Sequence, residues 1–309
     1  MPNFLDKLIT FFSGPKQPAP PPAGRDPDAT VPLPDLPTSR PVVMPKVNSE
    51  IPPHRLLLGV AQDVGRVRNH NEDVLLYFTG ELKGLESIPN FGLYVVADGM
   101  GGHSLGERAS SVAARTLARV ALEKILPSLL ADPHSDPDRP SLTEVMGDAM
   151  EAANRAVNAT VPEGGTTLTC ALTIGEHVVL SHVGDSRAYI ITDDSFEQVT
   201  RDHSLVQRLV ELGQLSPDEA AAHQQKNVLY KAIGQGDGLE VDLDSRRLSP
   251  GTMLLLCSDG LWGYVPDERM LEIIRQSASP QEACETLVAA ANAAGGPDNI
   301  TALIVKLPR

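Results

Sequence analysis

Apolar, strand-length runs that lead into or follow an acidic residue constrain the fold of this chain more than any other feature. In the clearest case, residues 91 to 97 precede Asp98, and Gly99, Gly101 and Gly102 follow it. The run predicts a buried strand, and the glycines allow the next segment to turn tightly and to approach a ligand closely. The alternative is a turn cap, because an Asp side chain accepts hydrogen bonds from its own downstream backbone.

Four further acidic sites repeat this arrangement. They are Asp185, Asp259, Asp298 and the pair Glu72 and Asp73. Each could cap a turn, but carboxylates at so many strand ends indicate a shared site for hard cations such as Mg²⁺ or Mn²⁺, which prefer carboxylate oxygens. Zinc is disfavoured, because the histidines are scattered without ligand spacing and the cysteines are unpaired.

Composition excludes several classes of protein. The 309 residues carry a formal net charge of −14, which argues against a nucleic-acid partner, because such binding depends on Lys and Arg neutralising phosphates. The three cysteines are far apart in apolar surroundings, which is typical of a reduced cytoplasmic protein. No run is long enough for an integral membrane span, and the N-terminus lacks the features of a secretory signal.

The chain divides by composition into two parts. Residues 1 to 53 are rich in proline and predict a disordered N-terminal tail and linker. The first dozen residues of this tail are apolar enough to form a docking or membrane-surface tag, or they are only a frayed terminus. Residues 54 to 309 predict a single domain with its own core.

The domain shows the patterns of both strands and helices. Strands are predicted at 56 to 62, 74 to 78, 92 to 97, 168 to 174, 177 to 183, 186 to 192, 239 to 248, 252 to 257 and 300 to 306. Helices are predicted at 104 to 126, at 143 to 159 behind a capping box at Ser141, and after Ser216 and Ser279. Because the strands cluster with tight turns instead of alternating with helices, we expect an α+β fold of mainly antiparallel sheets with helices packed outside.

Two stretches near these strands have more than one interpretation. Arg68 precedes Glu72 by four residues and could form a structural ion pair with Glu72 or Asp73. It could instead hold a metal-bound phosphate in a bidentate manner, for which the planar guanidinium is suited. The Gly-Gly-Thr-Thr stretch at 164 to 167 could be only a turn before a strand.

The order and spacing of several motifs together carry a family resemblance. The motifs are VRNHNED (67 to 73), VVADGMGGH (95 to 103), GERAS (106 to 110), GGTT (164 to 167), VGDSRAY (183 to 189), TRDHS (200 to 204), AIG (232 to 234), LLCSDGLW (255 to 262) and PDNIT (297 to 301). In this order the chain resembles the metal-dependent serine/threonine protein phosphatases of type 2C, the PPM family, in their bacterial form. The resemblance covers residues 54 to 309 and leaves the first 53 residues outside.

The resemblance implies two central antiparallel β-sheets sandwiched between pairs of α-helices, with a binuclear Mn²⁺ or Mg²⁺ centre at one edge. Asp98 would bridge both metals, and the carbonyl oxygen of Gly99 would bind one of them. Glu72 and Asp73 would serve that same metal directly or through water. Which of the two makes the direct bond stays open.

Further roles follow from the resemblance. Asp259 and Asp298 would hold the other metal. Asp185, together with Asp259, matches the position where bacterial members often bind a third metal, and Arg68 matches the phosphate-binding arginine. The implied mechanism is in-line attack of a metal-activated water on phosphorus, while Arg68 and the metals neutralise charge on the phosphoryl oxygens.

Two parts of the site are less fully specified. Animal members carry a histidine where this chain has Met100, so the proton donor is not identified. His103 lies nearby but could equally fix the glycine loop or cap the helix that follows. Residues 203 to 238 correspond to a mobile flap beside the metal site in the family, and we expect this segment to shape substrate access.

The expected function is hydrolysis of phosphoserine and phosphothreonine in proteins by a cytoplasmic, monomeric enzyme that opposes a serine/threonine kinase. One alternative is a non-catalytic relative that binds phosphoproteins, although every acid of the motifs is present. The other alternative is a two-metal phosphoesterase such as a nuclease, which the negative charge disfavours.

Overall fold

The computed structural model describes residues 56–82, 88–102, 104–130 and 140–308. The predicted tail at residues 1 to 53 and His103 lie outside these residues. The strands are β1 (Leu57–Asp63), β2 (Val74–Leu82), β3 (Ile88–Ala97), β4 (Gly99–Met100), β5 (Gly165–Thr166), β6 (Leu168–Ile174), β7 (His177–Val183), β8 (Arg187–Ile191), β9 (Phe196–Gln198), β10 (Asp242–Arg247), β11 (Met253–Cys257) and β12 (Ile300–Lys306). The helices are α1 (Ser104–Leu130), α2 (Leu142–Thr160), α3 (Leu205–Glu211), α4 (Pro217–Ala221), α5 (Asp259–Trp262), α6 (Asp267–Gln276) and α7 (Pro280–Ala293).

Two five-stranded antiparallel sheets form the centre of the described structure. The first sheet has the strand order β1-β12-β11-β8-β9, and the second has the order β10-β7-β6-β3-β2. Strands β4 and β5 pair separately as a short two-stranded ladder. The antiparallel pairing agrees with the prediction from the clustered strands and tight turns.

Alternating side chains on the central strands face different cores. On β3, Leu93 and Val95 pack in the core shared with helices α1 and α2. Their neighbours Tyr94 and Val96 point to the opposite face and pack between the two sheets. On β11, Leu255 packs in a third core with α6 and α7. Because successive side chains of a strand point to opposite faces, the layers run helix, sheet, sheet, helix, which confirms the predicted α+β sandwich.

Helix α2 begins at the predicted capping box. Ser141 Oγ accepts a hydrogen bond from the Glu144 backbone N–H at 3.2 Å, and the Ser141 N–H donates to Glu144 Oε2 at 2.7 Å. These two bonds satisfy N–H groups that lack partners at a helix start. Within the described residues, no helix combines the length and the apolar character needed to cross a membrane.

Some predicted boundaries are wrong. Helix α1 does not end at residue 126 but continues to Leu130 through Pro127, which lacks an N–H to donate. Strand β2 runs to Leu82 rather than to residue 78. The prediction ended too early because the last part of this edge strand is polar and does not continue the apolar run. Strands β4, β5 and β9 were not predicted, since two or three residues carry no periodic pattern.

We expect Gly59→Ala to lower the melting temperature. A Cβ at Gly59 would lie 2.1 Å from the carbonyl carbon and oxygen of Pro280, where β1 packs against α7. Backbone atoms cannot move aside as a side chain can, and such overpacking costs about 1–3 kcal/mol. Thermal unfolding followed by circular dichroism measures the change.

The matched control for this substitution is Gly147→Ala in α2. The nearest atom to a Cβ at Gly147 is Leu243 Cδ1 at 3.4 Å, an ordinary contact. Alanine in a helix interior is more stable than glycine by about 0.5–1 kcal/mol, so the melting temperature should stay the same or rise. Equal melting temperatures for the two variants would contradict the packing of β1 on α7.

Candidate metal centre

The strand register gathers the acidic sites at one end of the sandwich. In the second sheet, the start of β2 pairs with the end of β3, so Asp73 lies beside Asp98. In the first sheet, the end of β11 pairs with the start of β12, so Asp259 and Asp298 are neighbours. Asp185 lies in the turn between β7 of the second sheet and β8 of the first. The fold therefore brings together side chains that are far apart in the sequence.

Asp98 interacts electrostatically with the other aspartates of these sites. Burial raises the pKa of Asp98 well above its usual range, and repulsion by other carboxylates raises it further. Those carboxylates are Asp73, Asp259, Asp185 and Asp298. Burial, followed by repulsion from Asp298, likewise raises the pKa of Asp259 to about 6. The predicted aspartates thus form one cluster, in which each additional negative charge is unfavourable.

Asp73 is held by two hydroxyl groups. Its Oδ2 accepts hydrogen bonds from Ser258 Oγ at 2.7 Å and from Thr301 Oγ1 at 2.6 Å. Its Oδ1 is buried and has no hydrogen-bond partner. Burial raises the pKa of this carboxyl to about 7, although both hydroxyls oppose the rise. A buried carboxylate oxygen without a partner is an unsatisfied acceptor that a cation or an ordered water would stabilise.

Glu72 has different contacts from its neighbour Asp73. Its carbonyl oxygen accepts hydrogen bonds from Ser110 Oγ at 2.6 Å and from the Gly99 N–H at 3.2 Å. Its side-chain Oε1 lies 3.1 Å from Nε2 of His70. The backbone of Glu72 therefore joins the start of β2 to β4 and α1, while its carboxylate remains on the side of His70.

The backbone at Asp98 and Gly99 is fixed by the threonines of the Gly-Gly-Thr-Thr stretch. Thr167 donates from its N–H to the Asp98 carbonyl at 2.8 Å and accepts the Asp98 N–H on Oγ1 at 2.9 Å. Only glycine fits at position 99, because a Cβ there would lie 2.3 Å from the carbonyl oxygen of Gly106 in α1. The stretch is therefore more than a turn before a strand, since it positions Asp98.

Arg68 forms an ion pair, but not with either acid that the sequence suggested. Its Nη2 donates to Asp298 Oδ2 at 2.9 Å, and 48% of its side-chain surface remains exposed. The alternative of a structural ion pair with Glu72 or Asp73 is therefore not seen, because Asp298, just before β12, holds the guanidinium. The exposed part of Arg68 still has N–H groups available to an incoming anion.

Asp185 is surrounded by a second polar cluster. Trp262 Nε1 donates to the Asp185 carbonyl at 3.0 Å. The Arg187 guanidinium carbon lies 3.5 Å from the centroid of a Trp262 ring, and Arg187 Nη2 donates to Asp202 Oδ2 at 2.8 Å. Burial, followed by repulsion from Asp259, raises the pKa of Asp185. The turn that carries Asp185 is thus tied to the helix that carries Asp259.

Several polar residues that hold this site were not predicted from the sequence. Asn299 accepts the Glu72 N–H on Oδ1 at 2.8 Å, and its Nδ2 donates to the carbonyls of Val64 and His70, each at 2.9 Å. Ser258 and Thr301 hold Asp73. Each of these three side chains stands next to or near an acid inside a recognised motif, which is the signal that could have identified them.

The residues present fit hard divalent cations. Among the described residues, no three His, Cys, Asp or Glu side chains are already arranged around one point where an ion would be held. The donors are nevertheless all oxygens, their mutual repulsion would be relieved by positive charge, and Asp73 Oδ1 lacks a partner. These properties suit Mg²⁺ or Mn²⁺.

Comparison with known proteins gives one consistent result. The family model for Protein phosphatase 2C matches residues 84–293. Serine/threonine phosphatase stp from Listeria welshimeri is 36% identical over 244 residues, which are 79% of this chain and 93% of that protein.

Solved structures are similar in both sequence and fold. The Mycobacterium tuberculosis serine/threonine phosphatase PstP/Ppp has a TM-score of 0.68 and 33% identity, over 82% of this chain and 99% of that one. The catalytic domain of PstP in complex with two manganese ions has a TM-score of 0.66 and 33% identity, over 82% of this chain and 100% of that one.

In the presence of a chelator, we expect Asp73 to destabilise the fold increasingly as the pH rises. Its pKa in the folded protein is raised to about 7, above the value of about 3.9 in an unfolded chain. Between these values the folded state binds more protons than the unfolded state, so the free energy of unfolding falls with rising pH.

The measurement compares wild type with Asp73→Asn by thermal unfolding between pH 4 and 8 in chelator. Burial lowers the pKa of His182 to about 3, which acts in the opposite direction, so the difference between the two proteins is the relevant quantity. We expect the wild type to lose stability relative to Asp73→Asn as the pH rises. For the control Asp148→Asn, at an exposed position of α2, the difference in stability from the wild type should not change with pH. A wild type that gains stability relative to Asp73→Asn as the pH rises would contradict the assignment.

Proposed function

The chain belongs to the protein phosphatase 2C family, and from this premise we propose that it hydrolyses phosphoserine and phosphothreonine in proteins. The observation that carries the proposal is the cluster of acids at one end of the two sheets, with Arg68 beside it. Every acid predicted as a metal ligand is present in the sequence, and the electrostatic interaction of Asp98 with Asp73, Asp185, Asp259 and Asp298 supports a shared site. The alternative of a non-catalytic phosphoprotein-binding relative is therefore not favoured.

The proposed cofactors are two Mn²⁺ or Mg²⁺ ions, with a third at the Asp185 position. Asp98 would contact both ions of the pair, and the Gly99 carbonyl would contact one. The remaining carboxylates would complete the site: Asp259 and Asp298 for one ion, Glu72 and Asp73 for the other, and Asp185 with Asp259 for the third. When bound, such ions supply a water of lowered pKa and compensate charge on phosphoryl oxygens.

The chain itself would position the substrate and the site. Arg68 is held by Asp298 and is about half exposed, so its other N–H groups can bind phosphoryl oxygens, where its charge would stabilise the transition state. The threonines of β5 and the segment after it keep the Asp98 backbone fixed. Burial of Asp73 keeps one carboxylate oxygen away from competing hydrogen bonds with bulk water.

Further proposals concern the setting of the enzyme. We propose that it acts in the cytoplasm as a monomer on phosphoproteins and opposes a serine/threonine kinase. Residues 54 to 309 would form the catalytic domain, and residues 1 to 53 a tail outside it. A nuclease activity is not supported, because the net charge of −14 would repel a phosphate backbone.

We expect Asp98→Asn, Asp259→Asn and Asp298→Asn each to reduce Mn²⁺-dependent turnover of a phosphothreonine peptide by about a hundredfold or more. Each variant removes a negative charge from the cluster, and a catalytic metal contributes several kcal/mol to stabilising the transition state. Steady-state kinetics over a Mn²⁺ titration measures the loss. Asp148→Asn should keep the wild-type rate, and near-normal rates of all three site variants at saturating Mn²⁺ would reject the assignment.

We expect Arg68→Ala to lower kcat/KM on the same peptide by about ten- to a hundredfold, because charge-assisted hydrogen bonds contribute about 1.5–3 kcal/mol. Mn²⁺ affinity should change little, since Arg68 is not a ligand. Arg68→Lys should recover only part of the rate, because lysine keeps the charge but loses the planar fork.

The matched control is Arg66→Ala, an exposed arginine two residues earlier in the same loop. Its kinetics should resemble those of the wild type. If Arg68→Ala instead weakens Mn²⁺ binding and regains the wild-type kcat/KM at saturating Mn²⁺, Arg68 serves only to hold Asp298.

A further inference from the structure

Lys226 lies on a part of the segment 203 to 238 that is fixed by backbone hydrogen bonds. The Lys226 N–H donates to the His223 carbonyl at 3.2 Å, and the Val228 N–H donates to the Gln225 carbonyl at 3.1 Å. The Val228 carbonyl in turn accepts the N–H of Leu205, the first residue of α3, at 2.8 Å. The backbone that carries Lys226 therefore has a defined position.

The side chain of Lys226 reaches the helical turn that carries Asp259. Its Nζ lies 5.7 Å from the centroid of the Tyr264 ring, within the range of a cation–π contact. Tyr264 directly follows the turn begun by Asp259, whose carbonyl accepts the Gly263 N–H at 2.8 Å. Lys226 is thus connected through an aromatic ring to the candidate metal centre.

The charge of Lys226 acts on Asp259. Burial and repulsion from Asp298 raise the pKa of Asp259, and the charge of Lys226 is among the effects that oppose this rise. The leading influences on the pKa of Asp98 are burial and four other aspartates. By contrast, the charge of Arg68 interacts with Glu72, Asp98 and Asp298. Arg68 therefore interacts with acids across the site, whereas the influence of Lys226 falls on Asp259.

Lys226 has no carboxylate partner within ion-pair distance in the part of the chain that the structure describes. The other lysine of the same segment, Lys231, lies 3.4 Å from Asp242 Oδ1 and 3.8 Å from Glu240 Oε2. An exposed cation that is not neutralised by its own chain is available to an anion on a partner. In a chain with a net charge of −14, such a position would locally offset repulsion of an acidic substrate.

We propose that Lys226, held over Tyr264, is a specificity-determining residue that favours phosphoprotein segments with a carboxylate next to the phosphorylated residue. This inference rests on the proposed phosphatase function. The phosphoryl group itself would be bound by Arg68 and the metal centre, so Lys226 would contact the flanking residue. The neighbouring carboxylate would form an exposed ion pair with the ammonium group, and such a pair is sensitive to salt.

The experiment uses the full chain with Mn²⁺ and three substrates: a small aryl phosphate, a phosphothreonine peptide flanked by glutamates, and the same peptide flanked by glutamines. The variants are Lys226→Gln, Lys226→Arg and, as the matched control, Lys231→Gln. The quantity measured is the ratio of kcat/KM for the glutamate peptide to that for the glutamine peptide. Thermal unfolding of each variant checks the fold.

We expect Lys226→Gln to lower this ratio about two- to fivefold, because one exposed ion pair contributes no more than this to binding. Turnover of the aryl phosphate should be unchanged. Lys226→Arg and Lys231→Gln should keep the wild-type ratio, and high salt should remove the difference between wild type and Lys226→Gln. An unchanged ratio, or an equal loss on all three substrates, would overturn the inference. Absence of turnover by the wild type on every substrate would instead reject the proposed function itself, and this inference with it.

Discussion

Repulsion among buried carboxylates is the interaction that the rest of this structure must accommodate. Asp98 faces four other aspartates at the end of the two sheets, and the pKa of Asp98 is raised by burial and by each of these charges. Such a cluster is unfavourable for a fold by itself. It is tolerated because the acids lie at strand ends, where the backbone is fixed by pairing on both sheets, and because the apolar cores lie elsewhere.

Neutral polar groups hold the acids in place without neutralising them. Hydroxyls of Ser258 and Thr301 bond to Asp73, and Thr167 bonds to the backbone of Asp98. The amide of Asn299 ties the loop before β2 to the start of β12. Because none of these side chains carries a charge, the cluster keeps its affinity for cations while its geometry is fixed. Among the residues that the structure describes, the arginine that makes an ion pair with these acids is Arg68, whose side chain is about half exposed.

The sequence separation between two interacting residues decides whether their interaction could be predicted from the sequence. β3 and Asp98 were predictable, because an apolar run and the acid after it are neighbours. The partner of Arg68 was not, because Asp298 is 230 positions away and only the fold brings the two together. The hydroxyl partners of Asp73 are likewise 185 and 228 positions away. The family motifs identified which acids belong together but not which polar neighbours hold them.

The hydrogen bonds of Asp73 have a consequence for the sandwich as a whole. Asp73 directly precedes β2 of the second sheet, whereas Ser258 directly follows β11 of the first sheet and Thr301 lies at the start of β12. Apolar contacts between the sheets are non-directional and would tolerate sliding, but hydrogen bonds would not. A slip by one residue, about 3.3 Å, would separate the acids of one sheet from those of the other. The polar end of the sandwich therefore fixes the alignment of the two sheets. Their apolar interface alone would not determine this alignment.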